Sequence, residues 1–394
     1  MNGMNTRIVI RHACIYTPLT LIRDGYIVVE NGLIKEIGRE PYSGSNGEVI
    51  NAEDLLVSPG FIDTHIHGYG GRDTDEADVE AIYTISRGLV KHGVTSIVPS
   101  SVTMPHDALV KIAESIREAR NEWSPEKGAR ILGLHLEGPY LSVEKAGAQN
   151  KKYIRPASIK ELEEYIRASG GLIRQITVAP ENPGALDLIT YAVAHGITVS
   201  IGHTNATYEQ TRLAIERGAR KATHTFNGMR GIHHREPGPA IAVLEDDGVY
   251  IELITDFIHI SPPVVRFVIK HVGPHRMVLI SDSISATGLP DGTYELGGLK
   301  VIVKNGVPRL ADTGALAGST LTLDRAVKNV YSLGFDLRET LMMASYTPAA
   351  SINALYRDKI GLLAPGFKAD MVFLDEGLNV VKTMIDGEII YEKN

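Results

Sequence analysis

The chain has 394 residues, 43% hydrophobic and 22% charged, a length that holds a barrel of roughly 250 to 300 residues with about 100 to spare. A formal net charge of −7 at pH 7 excludes broad binding to nucleic acid or anionic membranes, since neither polyanion is attracted over a large surface. Cys14 is the single cysteine, which excludes an intrachain disulfide and a cysteine-based zinc knuckle. Met1 to Pro18 lacks the apolar core of a secretion signal, and no apolar run approaches the ~20 residues that cross a bilayer, so a cytoplasmic location is expected.

Short strands joined by turns are predicted over Arg7–Ile15, Tyr26–Glu30 and Leu33–Ile37, with Asn31-Gly32 as a two-residue hairpin turn. After Pro59-Gly60 the texture changes, and short apolar runs alternate with amphipathic helical stretches until about residue 357. Eight strands are predicted: Phe61–His67, Val94–Pro99, Ile131–Glu137, Leu172–Ala179, Ile197–His203, Lys221–His224, Val249–Thr255 and Met277–Asp282. Glycines stand where the intervening helices need a left-handed C′ residue, at Gly93, Gly170, Gly196, Gly218, Gly273 and Gly334. In Asp78–His92, Val79, Ile82, Leu89 and Val90 fall mainly on one face, as a helix covering a sheet requires. Eight such units favour a closed (β/α)8 barrel, and no GxGxxG follows a strand to suggest a dinucleotide fold. Short strands return at Met371–Leu374, Val380–Ile385 and Glu388–Tyr391. The expectation is a small β-sandwich domain made of residues 1–57 and 359–394, with the barrel, 58–358, inserted between them.

His65 and His67 lie two apart on a predicted strand, so they share a face with Asp63 while Ile62, Thr64 and Ile66 point away. Two adjacent imidazoles suit one divalent metal ion; a hydrogen-bonded histidine pair is the plainer alternative. Glu137 ends the third strand, where Pro139 cannot donate to a ladder. His203, His224 and Asp282 end the fifth, sixth and eighth. Any one of these could be a structural histidine or a capping carboxylate. Six candidate ligands from five strand ends, on the face where barrel active sites occur, point to a metal site. Histidine and carboxylate donors without thiolate suit zinc, iron, manganese or cobalt acting as a Lewis acid. Such an ion acidifies water for attack on a carbonyl, and Asp282 is placed to carry the proton to a leaving amine. Metal-assisted amide hydrolysis is the chemistry expected.

Pro59-Gly60-Phe61-Ile62-Asp63-Thr64-His65-Ile66-His67-Gly68 resembles the first metal motif of the amidohydrolase superfamily. The stretches 135–140, 202–207, 224–229, 234–238, 281–283, 288–292 and 316–320 resemble the N-acetylglucosamine-6-phosphate deacetylases within it, over nearly the whole chain. The resemblance implies that Glu137, His203 and His224 hold one metal and that His65 and His67 help to hold a second near Glu137 and Asp282. Some members lack the HxH pair and work with one ion, so one or two are implied. It further implies Asp282 as catalytic acid and base, and Asn227, the backbone at Gly228, and Arg235 as contacts to the sugar phosphate. Gln149 and His259 match substrate-contacting positions, although some members carry histidine in place of Gln149 and alanine in place of Gly228. The guanidinium fork of Arg235 suits phosphate; a salt bridge with Glu236 is its structural alternative. His12, His233 and His234 are expected to be solvent-facing or structural.

A homodimer acting on a small phosphorylated amino sugar, with no nucleic-acid or membrane partner, completes what the resemblance implies. The galactosamine epimer is a live substrate, because no residue reads one hydroxyl's orientation directly. A cyclic amidase of the same superfamily would usually carry a bridging lysine after the fourth strand, where this chain has Thr177-Val178-Ala179-Pro180-Glu181. A non-catalytic binding protein on the same fold would usually lack a ligand or the acid/base residue, and none is missing.

Overall fold

The computed structural model describes residues 7–44 and 47–393; Met1 to Thr6, where the segment without a secretion signal begins, lie outside them. Eight barrel strands run Phe61–Ile66, Val94–Ser101, Leu134–Glu137, Ile173–Val178, Thr198–Ile201, Lys221–Ala222, Tyr250–Ile254 and Met277–Ile280. They pair in parallel and in chain order. A two-residue strand, Arg130–Ile131, precedes the third and pairs with the second. The predicted strand Ile131–Glu137 is therefore broken, at Leu132-Gly133, where Gly133 takes φ of 148°.

The ends of the first and eighth strands meet through three backbone hydrogen bonds, one of them Gly68 N–H to Ser283 O at 3.0 Å. Asp282 N–H donates to His65 O and His67 N–H to Ser283 O, each at 2.9 Å. The sheet is thus a (β/α)8 barrel.

Helices cover it as the amphipathic spacing requires. The helix Val79–Leu89 starts at Asp78, whose side chain accepts the Glu80 N–H, and its single turn of 3-10 extension stops at Gly93 with φ of 76°. Ile82, Ile85 and Leu89 are buried against the strands, and burying each such side chain contributes about 1.5–3 kcal/mol. Ile82→Asp would set an unpaired charge in that layer.

Three further strands, Gly292–Leu296, Leu299–Lys304 and Val307–Leu310, form an antiparallel sheet after the eighth barrel strand. The sequence reading placed no strands there. Their signal is local: Val301 and Val303 are buried while Lys300 and Ile302 are exposed, and Gly297-Gly298 and Asn305-Gly306 form the turns. Val301, Val303 and Leu310 pack with Val102, Ile284 and Leu296, so the insert is bound to the barrel's carboxyl end by its own small core.

Both chain ends build one eight-stranded mixed sheet. Its order is Glu388–Glu392, Val380–Ile385, Met371–Leu374, Leu56–Pro59, Arg7–Tyr16, Leu21–Glu30 and Leu33–Arg39, with Glu48–Asn51 also paired to Arg7–Tyr16. The expected hairpin pairs Glu30 with Leu33, and Asn31 and Gly32 both take positive φ, 50° and 76°, the geometry of a type I′ turn. Ile10, Ile27, Val57, Met371 and Phe373 share one core. Arg130 ties the barrel to this sheet through Asp370 at 3.3 Å and Asp386 at 2.8 Å. Among the described residues no helix is long and apolar enough to cross a membrane.

Candidate metal centre

The six predicted ligands converge at the carboxyl end of the barrel. They form two groups, His65–His67–Asp282 and Glu137–His203–His224, every residue buried and the offered ligand atoms of each group within 4.8 Å of one another. His203, His224 and Asp282 follow the last residues of their strands with φ of 46°, 27° and 50°. A left-handed conformation at a non-glycine costs about 1–3 kcal/mol. Each break in the strand turns a polar side chain into the barrel mouth.

The orientation of the rings decides what they can bind. Nδ1 of His67 lies 3.0 Å from Ser100 O, that of His203 2.9 Å from Lys145 O, and that of His224 3.2 Å from Asn227 O. A carbonyl only accepts, so these nitrogens donate, and in a neutral ring Nε2 is left as a lone pair. His65 Nδ1 faces a carboxylate oxygen of Glu252 at 3.2 Å, with the same result. Nε2 of His203 and His224 stand 3.1 and 2.9 Å from Glu137 Oε1. Nε2 of His67 is 3.3 Å from Glu137 Oε2 and 3.2 Å from Asp282 Oδ1. Nε2 of His65 is 3.4 Å from each carboxylate and has no hydrogen-bond partner. Four lone pairs and two carboxylates cannot satisfy one another; they call for positive charge, which protons on the rings or a cation between them supply. The donor set of imidazole nitrogen and carboxylate oxygen fits a divalent metal.

Electrostatics agree. Burial opposes charge on His65, yet Glu137 and Asp282 push it up to about 10. His67 is raised well above its ordinary value by the same two carboxylates, again against burial. Burial works against Glu137 and Asp282 as anions, but His65 with His203 holds Glu137, and His65 with His67 holds Asp282, below the usual carboxylate range. The pocket favours positive charge between them.

A cavity of about 290 Å³ opens over these groups, lined also by Gln149, Asn227, Gly228, His259, Leu296 and Leu316. His259 gives Nδ1 to Asp256 at 2.7 Å, which leaves its other ring nitrogen for the cavity. Gly228 takes φ of 61°, and a Cβ there would lie 2.9 Å from His203 Nδ1, so the glycine leaves the imidazole its room. Gln149 is committed more tightly than a substrate contact needs: its amide donates to Glu137 Oε2 and accepts the Thr103 N–H, both at 2.6 Å. Arg235 is the predicted site residue that the structure does not bring to this cavity. It is exposed, lies in a separate cavity with Arg230, Tyr208 and Glu236, and contacts His234 Nε2 at 2.7 Å. Among the described residues no carboxylate lies within ion-pair distance of it, so the Glu236 bridge is not formed. Its motif places it after the sixth strand, but motif position does not set a loop's direction.

Asp63 shares the face of the histidines yet turns from the ligand groups, accepting the backbone N–H of His65 and Ser281, each at 3.3 Å. His135 is a core histidine, bonded to Ser100 Oγ and Thr177 Oγ1 and held well below its ordinary value by burial. His12, His233 and His234 are exposed, as expected. The sequence reading missed Leu296, which walls the cavity from the insert, and Glu252, behind His65. Glu252 did carry a signal: it is the only charged residue in the strand Tyr250–Ile254.

The model of the Amidohydrolase family matches residues 56–390. The chain is similar to N-acetylglucosamine-6-phosphate deacetylase of Vibrio furnissii, 38% identical over 94% of this chain and 92% of that one. It is similar to N-acetylgalactosamine-6-phosphate deacetylase of Escherichia coli O157:H7, 36% identical over 97% of this chain and 98% of that one. A solved structure of N-acetyl-D-glucosamine-6-phosphate deacetylase from Mycobacterium smegmatis, a variant in complex with N-acetyl-D-glucosamine-6-phosphate, superposes with a TM-score of 0.91 at 35% identity, covering 98% of this chain and 99% of that one.

Proposed function

Because the chain belongs to the amidohydrolase family, we propose that it hydrolyses N-acetylglucosamine 6-phosphate to glucosamine 6-phosphate and acetate. The observation that carries this reading is the convergence of four imidazole Nε2 atoms on Glu137 and Asp282 in one barrel-mouth cavity. Glu137, His203 and His224 hold one divalent ion; His65, His67 and Asp282 hold a second, with Glu137 in reach of both. Zinc, iron, manganese or cobalt suits these donors. When bound, the ion polarises the acetamide carbonyl and acidifies the attacking water.

The chain's own residues handle the proton. Asp282, held ionised by His65 and His67 against burial, accepts a proton from water as the C–O bond forms. It returns that proton to the amide nitrogen as the C–N bond breaks, so acetate leaves with the water oxygen. Such acid–base work contributes about 10²–10⁴-fold. Asn227, the backbone at Gly228, and His259 bind the sugar phosphate along the cavity wall, while Leu296 and Leu316 exclude water over the reacting amide. Arg235, which lies outside its own chain's cavity, supplies phosphate contact to the cavity of a second copy in a homodimer; exposed Ile232, Ile258 and Phe267 follow the sixth and seventh strands. A phosphorylated sugar does not cross membranes unaided, which places the reaction in the cytoplasm.

The test is acetate release from N-acetylglucosamine 6-phosphate beside its galactosamine epimer and dihydrouracil, after chelation and re-addition of divalent metals. Metal-dependent release from the glucosamine substrate supports the reading. Preference for the epimer, in line with the Escherichia coli relative, would change the sugar and keep the chemistry. A folded protein that releases acetate from neither sugar with any metal overturns it.

A further inference from the structure

Behind the ligand groups lies a buried polar layer that the proposed reaction does not use. Glu252 is fully buried, and its two oxygens are divided. Oε1 accepts from Lys221 Nζ at 2.8 Å and from Gln175 Nε2 at 3.3 Å; Oε2 accepts the His224 backbone N–H at 3.2 Å and faces His65 Nδ1, also at 3.2 Å. Lys221 is itself fully buried and donates to Thr64 Oγ1 at 2.9 Å and Gln175 Oε1 at 2.8 Å. His67, His203 and His224 are oriented by backbone carbonyls, which no substitution removes. His65 alone of the four is oriented by a side chain.

We infer that Glu252, clamped by Lys221, is the positioning residue that keeps His65 with its proton on Nδ1 and its Nε2 lone pair toward the cation, so that a strand contributing no ligand sets the occupancy of the His65–His67–Asp282 group. The inference rests on the metal reading above. Partners of this kind fix the tautomer of a ligating histidine, and their loss typically costs 10–100-fold in metal affinity.

The clamp makes an isosteric change informative. In Glu252→Gln one oxygen becomes an NH2 group. Lys221 offers only donors, so it claims the remaining oxygen, and the NH2 group is left facing His65. Two donors cannot face each other; the ring proton moves to Nε2, where the metal should sit. Lys221→Met removes that claim and frees Gln175 Oε1, which Lys221 also engages, so Gln175 can turn its oxygen instead of its NH2 group toward the new amide. In Lys221→Met/Glu252→Gln the amide turns its oxygen to His65 and the His224 N–H, and the ligating form returns.

The experiment uses the full chain as wild type, His65→Ala, Glu252→Gln and the double variant. Each is loaded with Zn²⁺, dialysed and measured for metal per chain. The same proteins, labelled with ¹⁵N-histidine and kept in the dialysed, Zn²⁺-loaded state, report by NMR which His65 nitrogen carries the proton, the signal being assigned by its loss in His65→Ala. Glu252→Gln should lose the metal that His65→Ala loses, with about 10–100-fold weaker affinity at the His65–His67–Asp282 group, and show His65 as Nε2–H. The double variant should recover both. A His65 that stays Nδ1–H in Glu252→Gln overturns the inference whatever the metal content. Equal metal in wild type and His65→Ala refutes the two-metal reading instead, and the tautomer still decides the role of Glu252. Should Glu252→Gln fail to fold, the double variant decides, since Nε2–H there refutes the clamp.

Discussion

Nε2 of His203 and Nε2 of His224 stand 3.2 Å apart, and both face the same oxygen of Glu137. With each Nδ1 given to a backbone carbonyl, neither ring has a proton to offer the other. Chelation should therefore abolish acetate release and lower the melting temperature, because an ion that binds only the folded state stabilises it by mass action. Re-addition should restore both. A melting temperature indifferent to chelator, measured by calorimetry, would show that no ion occupies this point.

Asp282 stands between both histidines of the HxH pair, 3.4 Å from His65 Nε2 and 3.2 Å from His67 Nε2. Asp282→Asn keeps the shape and one oxygen donor but cannot take a proton. Turnover should fall by about 10²–10⁴-fold, with the metal bound at Glu137, His203 and His224 retained in elemental analysis. Near-normal kcat would remove Asp282 from the proton transfer.

Gln149 fixes Glu137 through Oε2, the oxygen that also faces His67 Nε2. Gln149→Leu preserves volume and deletes both amide bonds, so Glu137 loosens where it meets both ligand groups. Metal affinity should drop by about 10–100-fold, with KM little changed at saturating metal. A rise in KM alone, at unchanged metal affinity, would return Gln149 to a substrate-contacting role.

Arg235 is exposed and carries no ion pair among the described residues. Arg235→Ala should leave stability within about 0.5 kcal/mol while raising KM for the phosphorylated substrate. Unphosphorylated N-acetylglucosamine should be turned over as before. An equal loss on both substrates would contradict a phosphate contact.

Arg130 is buried between Asp370 and Asp386, on the sheet built from both chain ends. Burial raises the Asp370 carboxyl even beside Arg130, whereas Arg130 overcomes burial to hold Asp386 below its ordinary value. Asp386 thus stabilises the fold above its unfolded pKa, and that contribution is lost as pH falls through its depressed folded value. Asp370 acts oppositely, costing stability as pH rises from its ordinary to its raised value. Arg130→Met leaves buried Asp370 without its near cation and Asp386 with Lys368 alone, 2.8 Å away, and should cost about 3–5 kcal/mol at pH 7. The cost should shrink toward pH 4, where the abandoned carboxylates take up protons. Denaturant melts at both pH values check this; a pH-independent loss would assign Arg130 a packing role only.

Period and punctuation made most of the barrel readable. Strands such as Met277–Ile280 are continuous apolar runs bounded by helices with glycine stops, and the six glycines expected at those stops all take positive φ. The six ligands were readable because each sits at a strand end, and a barrel sends all such ends to one face. Two kinds of feature were not. Leu296 reaches the cavity because a sheet folds back over it, which depends on tertiary packing against Val102 and Ile284. The direction of the loop bearing Arg235 and the double commitment of Gln149 depend on contacts far apart in sequence, and neither leaves a periodic trace. The break in the third strand at Leu132-Gly133 was visible only as a glycine.

Two of the three backbone hydrogen bonds that join the first strand to the eighth involve His65, His67 and Asp282 themselves. Closing the barrel and assembling one ligand group are therefore a single event. A nascent chain that has not yet emerged past residue 282 can offer the histidines but not the completed His65–His67–Asp282 group, so capture by this group would mark the end of barrel folding rather than its beginning. An ion in that group would then proofread topology, held firmly by a ring that has closed and poorly by one that has not.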